Sequence, residues 1–250
     1  MDSKKAIVIV GGTSAIARHC ARLWVQAHPV DLTLVGRDLA RLEAVAVDLR
    51  VRSPLSTIRV LDSSFADPAG VQATADRIVA QARPDVVLIA HGSLPVQGEC
   101  QQELAACHDA LILNGISPVL FAEAFAAHMA RAGQGTLALV GSVAGDRGRR
   151  SNYVYGSAKG MVTRYAQGLQ HRFAGSAVRI VLIKPGPTDT PMTAHLKSEG
   201  ARLAPVQEVA RQIVAAIERG LPVAYVPRKW QLIMMVIRHL PGFVFARLNI

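Results

Sequence analysis

The 250-residue sequence predicts an α/β protein built on one doubly wound parallel sheet in a single domain. Three observations support this prediction: short apolar runs alternate with longer helical patterns, most runs are continuously apolar, and no linker or repeat divides the chain. A continuous apolar run is typical of a strand that helices cover on both faces. Half of the residues are hydrophobic and 18% are charged, which excludes a disordered chain.

About seven strands are expected, joined by helices in right-handed crossovers. The apolar runs predict strands at Ala6–Val10, Leu32–Val35, Thr57–Leu61, Val86–Ala90, Thr136–Val140, Val178–Ile183 and Val223–Val226. The helical patterns that separate them lie near residues 15–27, 38–50, 68–82, 101–131, 152–174 and 206–219.

The net charge of +10 indicates an anionic partner, which can be nucleic acid, a membrane surface or a phosphorylated ligand. Nucleic acid is disfavoured, because the sequence has no long block of like charges and only 5% aromatic residues.

Cys20, Cys100 and Cys107 have no metal-ligand or disulfide spacing, which favours reduced thiols in a cytoplasmic protein without a metal site. The apolar run that starts at Ala6 also argues against a secretory signal.

Residues 228–250 depart from the alternation of strands and helices and are predicted to form a basic apolar tail. A helix is expected from Lys229 to Leu240 and ends before Pro241, because proline lacks the amide donor. No acidic residue follows Glu218, and five positive residues do: Arg219, Arg228, Lys229, Arg238 and Arg247.

This tail has two main interpretations. It is either a peripheral membrane anchor or a cover for the core or for a subunit interface. In the anchor, Trp230, Met234, Ile237 and Phe243 would insert while the basic residues contact headgroups. A spanning helix is disfavoured, because Arg238 would lie in its middle and no run of about 18 apolar residues occurs.

A glycine-containing turn follows the first predicted strand and precedes the first predicted helix. Glycines let the backbone approach a pyrophosphate, which the amides at a helix N-terminus hold. Alanines stand at positions 15 and 17, where this motif usually has glycines. The turn predicts a dinucleotide site formed by Gly11, Gly12, Thr13, Ser14, Ala15 and Ile16.

The end of the second predicted strand favours NADP(H) over NAD(H). An NAD site generally has an acidic residue here that binds the ribose hydroxyls. Gly36 stands there instead and Arg37 follows, and an arginine can pair bidentately with a 2′-phosphate. Arg18 is a second candidate for this phosphate. Asp62, after the third strand, is interpreted either as an adenine contact or as a turn residue.

Tyr155 and Lys159 are four residues apart on a predicted helix, which places both side chains on one face. An unperturbed tyrosine has a pKa of about 10, and a nearby ammonium favours the phenolate and lowers that pKa. The pair therefore predicts a group that exchanges a proton with a carbonyl or hydroxyl. Tyr153 has no lysine four residues further on and is excluded from this role.

Two further polar residues complete a candidate catalytic set. Ser142 follows the strand Thr136–Val140, and a serine at the carboxyl edge of a parallel strand faces the ligand crevice. Asn114 and Gly115 lie inside a long helical pattern, where both residue types are unfavourable. We expect a local distortion there, which either serves function or accommodates a satisfied polar residue.

The order and spacing of these motifs resemble those of the short-chain dehydrogenase/reductase family over roughly residues 4–226. The resemblance implies a Rossmann-like NAD(P)-binding catalytic domain at 1–227, with 228–250 as its tail, and a homodimer or homotetramer. It also implies a substrate lid at 188–206, for which a mobile surface loop is the alternative interpretation. Further matching residues follow the fourth and sixth strands: Ala90, His91, Gly92, Pro185, Gly186, Thr188 and Thr190.

The resemblance also implies a role for each member of the catalytic set. Tyr155 would be the general acid for ketone reduction, and Lys159 would hold the nicotinamide ribose and tune Tyr155. Ser142 would position the carbonyl, and Asn114 would hold a water in the proton relay. His91 is interpreted either as a contact to substrate or cofactor or as a structural loop residue. The residues implied at the nicotinamide are Pro185, Gly186, Thr188 and Thr190.

The expected reaction is the NADP(H)-dependent interconversion of a ketone and a secondary alcohol. Within the family, the GGTSAIA turn and the basic tail resemble the keto-reducing subunits of decaprenylphosphoryl-ribose 2′-epimerase, which act on a sugar carried by a polyprenyl phosphate. The expected substrate is therefore either such a lipid-linked keto-sugar or a soluble ketone or 3-oxoacyl thioester. An NADP-sensing regulatory protein without turnover is the alternative of another class, and the complete catalytic set argues against it.

Overall fold

One sheet of seven parallel strands forms the centre of the protein in a computed structural model that describes residues 4–198 and 200–248. The predicted strands are confirmed, and only their ends differ. Their order across the sheet is third, second, first, fourth, fifth, sixth, seventh. The strands are β1 (Lys5–Val10), β2 (Val30–Gly36), β3 (Thr57–Asp62), β4 (Val86–Ile89), β5 (Gln134–Val140), β6 (Ala177–Pro185) and β7 (Val223–Val226).

Helices connect the strands at the predicted positions, with one difference in the middle of the chain. The helix expected over 101–131 is divided by a π-helical turn at Ile112–Ile116. The helices are α1 (Ala15–Ala27), α2 (Leu39–Arg52), α3 (Pro68–Gln81), α4 (Gln97–Gln102), α5 (Leu104–Leu111), α6 (Ser117–Ala132), α7 (Tyr153–Arg172), α8 (Ala194–Ser198), α9 (Val206–Glu218), α10 (Lys229–His239) and α11 (Gly242–Phe245).

Helices cover both faces of the sheet, and the apolar side chains form two buried cores. One core joins the sheet to α1, α2 and α9, and Leu42 and Ile213 are fully buried in it. The other joins the opposite face to α3, α6 and α7 around Phe121 and Phe125. This arrangement explains why the strand sequences are apolar on both sides, and it confirms the predicted doubly wound fold.

The direction in which the chain builds the sheet reverses at β1. This strand pairs with β2 on one side and with β4 on the other, both in parallel. At such a switch point the connections leave toward opposite faces, and a crevice opens at the carboxyl ends of the strands. The carboxyl ends of β1, β4, β5 and β6 therefore meet at one place in the molecule.

The tail forms a helix against the body of the protein, as α10 packs on β7 and on a 3₁₀ turn at Val143–Asp146. Arg147 donates hydrogen bonds to the carbonyl oxygens of Ile237 (2.6 Å) and Leu240 (2.7 Å) at the end of this helix. The predicted break at Pro241 is confirmed by the short helix α11 that follows it.

The predicted membrane-inserting face of the tail is mostly wrong. Met234 is fully buried, and Trp230 and Ile237 are half-buried, because these three side chains point toward the protein. Of the residues named for insertion, only Phe243 is exposed. The outer side of α10 is nevertheless apolar, and the exposed residues on it are Leu232, Ile233, Met235 and Val236.

One continuous helical stretch in the described residues, Leu104–Ala132, is long and apolar enough to cross a membrane by length and composition alone. It comprises α5, the π turn and α6. In its most apolar window, 56% of the residues are buried, since α6 packs against α3, β4 and β5. Helix α6 is therefore a core helix that packs on the sheet.

Candidate active site

The glycine turn after β1 has the close backbone approach that the sequence predicts. Gly11 has φ +89°, and a Cβ there would lie 2.6 Å from the backbone nitrogen of His91. Its amide and that of Gly12 both donate to the Val35 carbonyl, at 2.8 and 3.0 Å. Only glycine fits position 11, because the conformation and the neighbouring chain both exclude a side chain.

The start of α1 is suited to an anion. Ser14 directly precedes the helix, and its hydroxyl makes no capping hydrogen bond. The free amides of the first turn present partial positive charge. This turn also contains no acidic residue that would repel an anion. Ala15 and Ala17 are already helical, which explains why alanine is tolerated where glycine is usual. The residues present therefore fit the pyrophosphate of a dinucleotide.

Arginines surround the recess beyond this turn. Arg18, Arg37 and Arg41 line it together with Gly36 and Phe65. The guanidinium carbon of Arg37 lies 5.6 Å from the centroid of the Phe65 ring. This recess is therefore positively charged at the place where β2 ends.

The carboxylate closest in sequence to Arg37 is already engaged. Asp38 accepts a hydrogen bond from the Arg41 amide (3.0 Å) as the cap of α2, and its other oxygen lies 3.3 Å from Arg41 Nε. Among the ion pairs formed by residues 4–198 and 200–248, none joins Arg37 or Arg18 to a carboxylate. Asp62 is exposed at the end of β3 and lies outside the walls of this recess.

Ser142, Tyr155 and Lys159 converge on one cavity at the carboxyl ends of β4, β5 and β6. Ser142 follows β5, and its Oγ accepts a hydrogen bond from the Ala144 amide at 3.1 Å. Lys159 Nζ donates to the Val140 carbonyl (3.0 Å) and lies 5.8 Å from the centroid of the Tyr155 ring. The spacing of Tyr155 and Lys159 on α7 thus brings both side chains to the cavity that Ser142 also lines.

Burial dominates the ionisation of this pair. Burial raises the pKa of Tyr155 above its usual value, and the hydrogen bond with Ser142 opposes the rise. Burial also lowers the pKa of Lys159 to about 8. The sequence predicts a lowered pKa for Tyr155, and in this structure the loss of hydration raises that pKa by more than the hydrogen bond with Ser142 lowers it.

The 3₁₀ turn that carries the chain away from Ser142 is held against the catalytic helix. A Cβ on Gly145 would lie 2.6 Å from the carbonyl carbon of Lys159, so the two backbones are in close contact. Asp146 forms a buried ion pair with Lys184 and accepts a hydrogen bond from Tyr225 Oη at 2.7 Å. These contacts fix the serine loop relative to α7.

Asn114 lies in the π turn, which confirms the expected distortion of the long helix. Its side chain is fully buried, and Oδ1 accepts a hydrogen bond from the Ser93 amide at 2.8 Å. Its Nδ2 donates to the Ala110 carbonyl at 2.9 Å. Asn114 lines the same cavity as Tyr155 and joins the π turn to the loop after β4. A π turn within an α-helix is frequent at functional sites.

His91 is buried beneath the glycine turn. Its Nε2 lies 2.9 Å from Ser117 Oγ, and its Nδ1 has no partner among the described residues. Its ring is tilted against the ring of Phe65 and meets that of Phe121 edge-on. Burial lowers its pKa to about 3, with a smaller contribution from the positive charge of Lys159. The ring is therefore neutral at physiological pH, and it also lines both the catalytic cavity and the recess of the glycine turn.

The segment after β6 closes the cavity on another side, where Pro185, Gly186, Thr188 and Thr190 line it. Thr188 Oγ1 donates to the Gly186 carbonyl at 2.9 Å. The Trp230 indole of α10 lies directly against Gly186, where it occupies the space that a Cβ would need. The tail therefore backs this wall of the cavity.

The predicted site residues therefore gather in two adjoining spaces, except for Gly12 and Asp62. Gly12 packs against Leu34 and Leu42 behind the turn instead of facing a ligand. The polar wall residues that were not predicted include Arg41, Arg149 and Asn152. Arg41 carries a recognisable signal, since it is a second arginine four residues after Arg37, in the first turn of α2. No sequence pattern points to Arg149 or Asn152.

Comparisons with known proteins agree with this geometry. The sequence model of the family described as short chain dehydrogenase matches residues 5–201. An uncharacterized oxidoreductase of Streptomyces coelicolor is 29% identical over 98% of this chain and 96% of its own length. Sulfoacetaldehyde reductase of Chromohalobacter salexigens is 30% identical over 75% of this chain and 74% of its own. The structure of a short-chain dehydrogenase from Sphingobium yanoikuyae in complex with NADPH has a TM-score of 0.82 and 23% identity, covering 95% of this chain and 97% of that one.

Proposed function

Because the chain belongs to the short-chain dehydrogenase/reductase family of oxidoreductases, we propose that it interconverts a ketone and a secondary alcohol with NADP(H). The observation that carries the proposal is the convergence of Ser142, Tyr155 and Lys159 on one cavity. This cavity shares Ser14, Ile16 and other wall residues with the recess of the glycine turn. A dinucleotide held by that turn would therefore reach the catalytic residues.

The roles of the residues follow from their positions. Tyr155 is protonated at neutral pH, since a tyrosine pKa is ordinarily about 10 and burial raises it further, so it can give its proton to a carbonyl oxygen. Ser142, bonded to Tyr155, holds the same oxygen and orients it. Lys159 places a buried positive charge next to the phenol and stabilises the phenolate left after proton transfer. The bound nicotinamide supplies or accepts the hydride.

The test of this function is Tyr155→Phe, which removes one oxygen and leaves the ring. We expect loss of turnover with retained NADPH binding, because the phenyl ring keeps its packing and has no proton to give. Tyr153→Phe is the matched control, since Tyr153 lies two residues away on the same helix and is 42% exposed. Retained activity in Tyr155→Phe would refute the mechanism. NADPH binding without turnover of any ketone by the unaltered protein would favour the NADP-sensing alternative.

The preference for NADP(H) is supported by the arginine recess at the end of β2. Arg37 and Arg18 have no ion pair there among the described residues, while Asp38 is engaged as a helix cap. A 2′-phosphate would supply the missing negative charge. The solved neighbour from Sphingobium yanoikuyae, which binds NADPH, agrees with this choice.

Arg37→Ala tests the cofactor preference. We expect the Kd for NADPH to rise about 10- to 100-fold, as the loss of a charge-assisted hydrogen bond of roughly 1.5–3 kcal/mol implies, with little change for NADH. Calorimetric titration of both cofactors measures this, with Arg164→Ala on the exposed side of α7 as the control. An equal loss for NADPH and NADH would contradict the assignment of Arg37 to the phosphate.

For the substrate, we propose a keto-sugar linked to a lipid through a phosphate, with a soluble ketone or 3-oxoacyl thioester as the alternative. The support is the exposed face of α10, where Leu232, Ile233 and Val236 lie next to basic residues. Residues 219–248 contain five positive residues and no acidic one. Apolar and basic side chains on one helix are typical of binding to an anionic lipid surface. The proposed location is the cytoplasm, in peripheral contact with the inner face of the membrane.

A further inference from the structure

Arg149 and Asn152 line the active-site cavity but have no part in the proposed proton transfer. They lie between the 3₁₀ turn that follows Ser142 and the start of α7, which carries Tyr155. Each has a buried polar atom without a hydrogen-bond partner, Nε of Arg149 and Oδ1 of Asn152. Buried polar atoms are usually paired, so these two atoms, which share the cavity wall with the unpaired Nδ1 of His91, are suited to bind polar groups of a ligand.

In the part of the chain that the structure describes, no carboxylate forms an ion pair with the guanidinium of Arg149, although the charge of Asp146 acts on it. Its Nη2 lies 3.5 Å from the sulfur of Met234, which is a weak acceptor. None of the ion pairs formed by residues 4–198 and 200–248 includes Arg149. Asp146 is already held by Lys184 and Tyr225. An arginine stays charged when it is partly buried, and an unpaired charge in such a place is costly.

Asn152 occupies a position where asparagine usually caps a helix. It immediately precedes α7, but its side chain makes no capping hydrogen bond. Its backbone carbonyl accepts from the Gly156 amide at 2.8 Å, so the start of the helix is already formed without the side chain. The Asn152 side chain is therefore available to a ligand.

We infer that the substrate carries an anionic oxygen group next to its carbonyl, that Arg149 binds this group, and that Asn152 accepts a hydrogen bond from a neighbouring hydroxyl or N–H. The inference rests on the proposed function, since it assumes that the carbonyl lies at Tyr155. A phosphate, a sulfonate and a carboxylate share the required chemistry. Leu94, Val143 and Met192 line other parts of the cavity and would contact the carbon skeleton.

A matched pair of substrates tests the inference by kinetics. Acetoacetate is anionic and methyl acetoacetate is its neutral ester, and both offer the same ketone to NADPH. We expect Arg149→Gln to lower kcat/KM for acetoacetate about 10- to 100-fold and to leave the value for the ester within about twofold. Arg164→Gln, which removes one positive charge elsewhere on the surface, should change neither value. A similar loss for both substrates in Arg149→Gln would overturn the inference while leaving the proposed function intact.

Direct binding gives a second readout that does not depend on turnover. Inorganic phosphate, methanesulfonate and acetate are titrated calorimetrically into the unaltered protein, Arg149→Gln and Arg37→Ala. We expect at least one anion to bind at a site that is lost in Arg149→Gln and kept in Arg37→Ala, and the preferred anion identifies the group. Identical titrations for the unaltered protein and Arg149→Gln with all three anions would overturn the inference. Equal thermal unfolding midpoints show that the variants are folded.

Discussion

At the scale of single residues, burial sets the charge states in the active site. Tyr155 and Lys159 are both shifted toward their neutral forms by loss of hydration, and so is His91. The Tyr155 phenol is therefore protonated at the start of ketone reduction, and it acts first as a proton donor. A charged substrate or cofactor group that pairs with a charge of opposite sign in this cavity would interact with it strongly, because the low polarity that disfavours isolated charges strengthens charge pairs.

His91 couples folding to pH. Its pKa is about 3 in the folded protein and about 6.5 when hydrated, so below pH 6.5 the unfolded chain binds a proton that the folded one does not. The contribution of His91 to the free energy of unfolding is therefore fully present above about pH 6.5, and it decreases as the pH falls toward 3. We expect a loss of about 2 kcal/mol between pH 7.5 and pH 5, measured by urea unfolding.

His91→Gln isolates this contribution, because glutamine keeps a hydrogen-bonding group for Ser117 and does not titrate. The pH dependence between 7.5 and 5 should be smaller in this variant by about the same 2 kcal/mol. His108→Gln is the control, since the side chain of His108 is 71% exposed. If the unaltered protein and His91→Gln lost stability in parallel, the imidazole would not be the responsible group.

At the scale of elements, the sequence patterns were sufficient for the strands and for most helices. Apolar runs, most of them continuous, identified every strand of the sheet, because β1 and its neighbours are covered on both faces. Asn114 and Gly115 also indicated the distortion that proved to be a π turn. Its type depends on the contacts of Asn114 with Ser93 and Ala110, which are not evident from local sequence.

The side that the tail helix turns toward the protein was not predictable from periodicity. Apolar residues lie all around α10, so the pattern did not distinguish the inner side with Trp230 and Met234 from the outer side with Leu232 and Val236. The distinction comes from tertiary contacts with Gly186 and Arg149. Arg149 was not predicted either, because a single arginine in a loop has no characteristic sequence spacing.

Gly11→Ala tests the turn as an element. The left-handed conformation costs an alanine roughly 1–2 kcal/mol, and its Cβ would approach the His91 backbone to 2.6 Å. We expect at least about tenfold weaker NADPH binding, because the turn has to shift. Gly98→Ala in α4 is the control, since nothing lies within 4 Å of its added Cβ. Unchanged affinity in Gly11→Ala would show that the turn does not touch the cofactor.

At the scale of the whole molecule, two groups of basic residues contribute to the net charge of +10. Arg18, Arg37 and Arg41 surround the recess of the glycine turn, and basic residues border the apolar outer face of α10. The first place suits a phosphorylated cofactor, and the second suits an anionic surface. The two are joined by the cavity wall at Gly186, against which Trp230 packs.

The membrane proposal predicts binding to vesicles of phosphatidylglycerol and phosphatidylcholine, measured by co-sedimentation. The triple variant Leu232→Ser, Val236→Ser and Phe243→Ser should bind much less, because these side chains are 57–69% exposed and support no core. Point substitutions are preferable to deletion of the tail, which would uncover Gly186.

The control for this experiment removes equally exposed apolar groups elsewhere, at Val47, Val51 and Leu55. Equal vesicle binding by the unaltered protein and the tail variant would contradict the proposal. If the tail substitutions instead reduced the molecular mass in solution without lipid, measured by light scattering, the face would join copies of the chain.

The contact between Trp230 and Gly186 has a consequence for the diversification of such enzymes. The shared family region covers residues 5–201, whereas α10 lies outside it and still supports the cavity wall from behind. Met234 likewise contacts Arg149 from that helix. Exchange of α10 between relatives could therefore change which substrates are accepted while every catalytic residue stays the same. Chimeras that differ only after residue 228 would offer a route to altered specificity.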